Sequence, residues 1–83
     1  MARKWRPPWD NGTRVKIIGD LSDWTAMAQR NLSGATGTVI DYKPDYDSRY
    51  PAHLVELDEP KQVNPISTFK QAWINVENLS PLT

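Results

Sequence analysis

The chain of 83 residues contains no cysteine. Disulfide staples, cysteine-type zinc fingers and thiol catalysis are therefore all excluded. Glycine is scarce, with four residues, and the Gly34-x-x-Gly37 pair is followed by neither the lysine nor the helix of a phosphate-cradling loop. Neither sign of charge is in surplus: ten Lys and Arg balance ten Asp and Glu. A neutral domain lacks the overall cationic excess that binding to a phosphate backbone calls for. No apolar run approaches the roughly 18 residues of a membrane span, and the basic segment Met1–Trp9 lacks the apolar core of a signal peptide. A cytoplasmic protein that does not engage membranes is the expectation.

What is present is a small domain with turn chemistry at short intervals. A domain near this size buries only about 60% of the surface its unfolded chain exposes. Asp10-Asn-Gly12 signals a turn, and Thr13 to Ile18 alternates as a strand with Val15 and Ile17 on one face. Leu21 to Asn31 switches to helical spacing, with Ser22 as N-cap, Asp23 in the first turn and Asn31 at the C-terminal end. Trp24, Met27 and Ala28 share one face of that two-turn helix, which reads as a lid on the core. After the Gly34–Gly37 pair, Thr38 to Tyr42 forms a second strand with Val39 inward. Lys43 to Pro51 is an exposed loop broken by Pro44 and Pro51. Ala52 to Asp58 is a third strand ended by Glu59-Pro60. Lys61 to Gln71 is a connection anchored by Ile66 and Phe69, Ala72 to Val76 is a fourth strand, and Leu79 begins a fifth. Five short strands of this kind fold as a small barrel, which removes exposed edges by closing the sheet.

The pattern Gly12-x-x-Val15-x-Ile17, Gly34-x-x-Gly37-x-Val39, Leu54-Val-x-Leu57-Asp58-x-Pro60, Trp73 and Leu79-x-Pro81 resembles SH3-like barrels. It is similar to KOW-type modules of transcription and translation proteins, and to electron-transport accessory barrels that dock on photosystem I and ferredoxin–thioredoxin reductase. The resemblance covers residues 12–81 and implies a mainly β, five-stranded SH3-like barrel. A short helix is inserted in its first loop, and an extended arm over residues 1–11 precedes it. Unlike the KOW pattern, whose glycines are only a few residues apart, this chain places Leu21 to Ser33 between the strands.

No catalytic constellation is assembled, so no enzyme activity, cofactor or metal is expected. His53, the only histidine, has no serine or cysteine nucleophile beside it and reads as a partly exposed strand residue. Asp45 and Asp47 lack the glycine-centred loop of a calcium site, which needs about six or more oxygen ligands. Surfaces remain. Charge is segregated, with Arg3, Lys4, Arg6, Arg14 and Lys16 near the N-terminus and Asp41, Asp45, Asp47, Glu56, Asp58 and Glu59 further on. One candidate surface is the arm, where Trp5, Arg6 and Trp9 flank Pro7-Pro8. A second reading of Trp9 is that it folds back and caps the barrel. The other candidate is the loop carrying Tyr42, Tyr46, Asp47 and Tyr50, suited to proline-rich or basic peptides. The leading expectation is a non-enzymatic adaptor or accessory subunit that binds a protein assembly through arm and loop. Its charge polarity also allows self-association. The alternative is a KOW-like module for RNA or single-stranded DNA, with Arg3, Lys4, Arg6, Arg14 and Lys16 on phosphates and Trp5 or Trp9 stacking on bases.

Overall fold

The computed structural model describes residues 8–21, 24–45 and 50–82. The fold is mainly β, with strands β1 (Arg14–Ile17), β2 (Thr36–Lys43), β3 (Ala52–Asn64), β4 (Ser67–Asn75) and β5 (Leu79–Pro81). One helix, α1 (Ala26–Leu32), lies between β1 and β2, and a single 3₁₀ turn over Val76–Asn78 precedes β5. The five strands form one antiparallel sheet in the order β4-β3-β2-β1-β5. β4 and β5 stand at the two edges of that order.

Alternation makes one face of this sheet the core. Val15 and Ile17 of β1, Val39 of β2, Val55 and Leu57 of β3 and Ile74 of β4 are all buried on it. Each such aliphatic contributes about 1.5–3 kcal/mol by leaving water. Leu21, Ala28, Leu32 and Val63 close the core from the helical side, with Trp24 packed partly against it.

The helix begins later than its spacing predicts. Thr25, not Ser22, is the N-cap: its backbone is extended and its hydroxyl accepts from the Ala28 N–H at 3.2 Å. The same hydroxyl donates to the Val63 carbonyl at 2.8 Å, so one side chain both starts the helix and fixes it to β3. Ser22 and Asp23 lie outside the described residues, and Trp24 precedes the helix rather than belonging to it. At the other end Ser33 is the C-cap, and Gly34 takes the left-handed conformation (φ +83°) expected of Asn31. The Gly34 N–H then donates to the Ile17 carbonyl, and the Ile17 N–H donates to Ala35, each at 2.8 Å. The helical excursion thus returns to the strand it left.

The third strand departs most from expectation. It does not stop at Glu59-Pro60 but runs on to Asn64. Glu56 pairs with Gln71 and Lys61 with Phe69, so four residues of β3, Leu57 to Pro60, face the single Lys70 of β4. Proline is tolerated in a strand at such a bulge because the ladder there needs no donor from it. The Lys70 ammonium donates to the Leu57 carbonyl at 2.8 Å, satisfying an acceptor the bulge removes from the ladder. Beyond it β3 and β4 form a two-residue hairpin around Pro65-Ile66, where the Asn64 side chain accepts from the Ile66 N–H at 3.0 Å. Ile66 is 94% exposed and Phe69 is exposed as well, so neither is the core anchor its apolarity suggests. Phe69 meets the Trp24 ring edge-on at 6.2 Å.

Candidate functional site

Two regions gather polar chemistry, and the sequence brings each together through strand register. The first lies at the β1–β2–β3 surface. Arg14 and Thr38 are cross-strand partners, and Asp58 lies on the bulge of β3 beside them. The Arg14 guanidinium grips Asp58 with both arms, at 2.7 and 2.6 Å, and also donates to Thr38 Oγ1 at 2.9 Å. The Thr36 hydroxyl donates to Asp58 at 2.5 Å. Hydrogen bonds from Arg14 and then Thr36 hold the Asp58 carboxyl well below the usual carboxylate range, and Asp58 in turn raises Arg14. A shallow cleft of about 290 Å³ adjoins this cluster, lined by Gly34, Thr36, Asp58, Glu59 and Lys61 among others. Arg14, expected on a phosphate-binding surface, has its charge committed to Asp58. Lys16 is exposed on the same strand. Both partners of the Arg14–Asp58 pair are well exposed, so it sets geometry more than stability.

The second region is aromatic. His53 is fully buried, not partly exposed. Residues 53, 55 and 57 share the inner face of β3, so the parity that buries Val55 and Leu57 buries His53 with them. Its cross-strand partners are Tyr42 on β2 and Ile74 on β4. The Tyr42 ring lies tilted against the imidazole at 4.9 Å between centroids, and Trp9 lies tilted against it at 5.6 Å. Trp9 thus folds back and is partly buried against the core. Its approach is pinned by the turn Asp10–Thr13, in which the Gly12 N–H donates to the Val39 carbonyl at 2.7 Å and the Val39 N–H donates to Thr13 at 2.9 Å.

The bulge in β2 shapes this pocket. Val39 faces Val55 while Asp41 faces Leu54, leaving Ile40 as the extra residue. Next to it the Asp41 carbonyl oxygen lies 3.0 Å from His53 Nδ1. A carbonyl only accepts, so Nδ1 carries the proton and Nε2 the lone pair. Nε2 is buried with no hydrogen-bond partner among the described residues. Burial pushes the His53 pKa down, opposed by the weaker effect of the Asp41 carbonyl.

The structure therefore brings both Trp9 and Tyr42 against a histidine whose burial the sequence reading missed. Tyr50 is exposed at the end of the loop and Tyr42 is half-buried. Trp5, Arg6, Arg3, Lys4, Tyr46 and Asp47 lie outside the described residues. Among the described residues no group of three or more His, Asp or Glu side chains is placed to hold a metal ion, and no helix is long and apolar enough to cross a membrane. The chain matches no protein-family model, no curated protein and no solved structure.

Proposed function

We propose that this chain is a small, non-enzymatic protein-binding module of the accessory-subunit kind, acting in the cytoplasm, with its five strands bent into an SH3-like barrel. Its docking surface is centred where the N-terminal approach and the loop after β2 meet. One observation carries this reading: Trp9 and Tyr42, one from each candidate surface, converge on the same histidine. A partner seated there would touch the arm and the Tyr-bearing loop at once, and aromatic side chains dominate the energetics of such surfaces. The acidic residues Asp41 and Asp45 flank the loop and favour a basic or proline-rich segment of the partner.

Affinity capture from the native cell extract tests the reading. A chain lacking residues 1–7 keeps the Trp9 seat, so its folding is expected to be intact. Capture of a defined protein set by the full chain, with loss of that set on deleting residues 1–7 or on Tyr50→Ala, is the expected outcome. Undiminished capture by both variants contradicts it. The nucleic-acid alternative loses one of its cations, because Arg14 is paired with Asp58. Titration with single-stranded RNA at low salt separates the two readings. Binding there whose log affinity falls with log salt by about 0.7 per phosphate contact replaces the protein-binding reading with the other.

A further inference from the structure

His53 is the one described side chain whose burial conflicts with its chemistry. Its ring lies against Trp9 and Tyr42, Ile74 is its cross-strand partner on β4, and its Nδ1–H is satisfied by the Asp41 carbonyl. Its other nitrogen, with no exposure and no partner among the described residues, tolerates a lone pair far better than a proton. A bare acceptor loses one weak hydrogen bond to water. A buried imidazolium N–H also loses hydration of a full charge, a much larger loss.

The neighbours of the ring offer that charge little. β2 presents the Tyr42 ring and the Asp41 carbonyl, while the Asp41 carboxylate is turned to accept from the Tyr42 N–H at 2.8 Å. β4 presents Ile74, and the N-terminal approach presents Trp9, whose neighbour Asp10 is exposed. Lys43, the next cation along β2, lies over the Trp73 ring at 5.6 Å. The two aromatic faces return some attraction to a cation, about 0.5–2 kcal/mol in such contacts. Their tilted geometry supplies no hydrogen-bond acceptor to Nε2.

We propose that His53 is a proton-operated latch for the N-terminal approach: protonation at Nε2 drives the imidazole out of its aromatic seat and releases Trp9 from the core. Trp9 is the part of the seat that can move. Tyr42 and Ile74 are held in strands on either side of β3, whereas Trp9 precedes the first strand and is only partly buried against the core. The neutral ring closes the latch and the charged ring opens it. An interface that includes Trp9 is thereby coupled to pH. The latch requires only the contacts of the described chain and holds whatever partner the surface takes.

The test is an NMR titration of the full chain from pH 8 to pH 4.5, following the His53 ring nitrogens and the Trp9 indole N–H. At pH 8 His53 is expected as the Nδ1–H tautomer. Its midpoint should fall below the ordinary imidazole value of about 6.5. The Trp9 indole signal is expected to move with the same midpoint, and in His53→Phe it should stay constant over that range. Should His53→Phe fail to fold, Trp9→Ala carries the test, because opening the seat should raise the His53 midpoint toward 6.5. A His53 midpoint at or above 6.5, or a Trp9 signal indifferent to His53 titration, overturns the proposal. So does an unchanged His53 midpoint in Trp9→Ala.

Discussion

At Gly37 the absence of a side chain is what lets β2 and β3 approach. A Cβ built there would stand 2.5 Å from the Glu56 carbonyl oxygen and 2.6 Å from a Val55 methyl, with backbone on one side and packed core on the other. Neither can retreat cheaply. Gly37→Ala is expected to destabilise the fold by about 1–3 kcal/mol, the usual cost of overpacking, as read from the denaturation midpoint at unchanged m-value. Asp58 makes a different prediction. Its carboxyl is held below its unfolded value by Arg14 and Thr36, so the folded state resists taking up the proton. Stability from this source is present above the unfolded carboxyl pKa of about 4 and is lost as pH falls further. The lowered pKa of His53 acts in the same direction but at higher pH, between its own folded value and about 6.5. Asp58→Asn should therefore flatten the pH dependence of the thermal midpoint below about pH 4 and leave the region near pH 6 untouched. A variant whose acid limb matches the parent's at both ends contradicts the assignment.

Among the elements, the two glycine-flanked strands were readable because alternation alone identifies their buried residues, Val15, Ile17 and Val39. The same signal was available for His53, which shares parity with Val55 and Leu57. It was missed because a histidine is by default assigned to the surface. The extension of β3 was not legible, since Glu59-Pro60 has the composition of a strand end. Only the bulge opposite Lys70 lets a proline sit inside the strand, and bulges leave little trace in sequence. The helix start was displaced for a similar reason. Ser22 and Thr25 are both suitable caps, and the choice falls on Thr25, which also reaches Val63 of β3. Tertiary contact therefore decided between two locally adequate signals. Thr25→Ala removes both bonds and is expected to cost about 1–2 kcal/mol, measured by chemical denaturation. Thr25→Ser, which keeps the hydroxyl, should recover most of it.

For the whole molecule, the order β4-β3-β2-β1-β5 brings the first and last strands side by side, so the N-terminal approach and the C-terminal strand meet on β1. Asn78 reinforces that pairing from the 3₁₀ turn. Its side-chain amide donates to the Ile18 and Asp20 carbonyls at 2.9 and 3.1 Å, and its backbone carbonyl accepts from the Ile18 N–H. The β2 bulge and the Asp10–Thr13 turn then place Trp9 over the end of the core, beside the loop that follows β2. The charge segregation seen along the chain has a partial structural counterpart. Arg14 is neutralised by Asp58, while Lys16, Asp41 and Asp45 stay at the surface.

The convergence of Trp9 and Tyr42 on one buried histidine is the claim on which the functional reading rests. A nuclear Overhauser spectrum of the full chain at pH 7.5, with ring protons assigned, tests it directly. Cross-peaks from the His53 ring to both the Trp9 indole and the Tyr42 ring are predicted, matching centroid separations of 5.6 and 4.9 Å. A His53 ring that contacts Tyr42 but shows no cross-peak to Trp9 would contradict it.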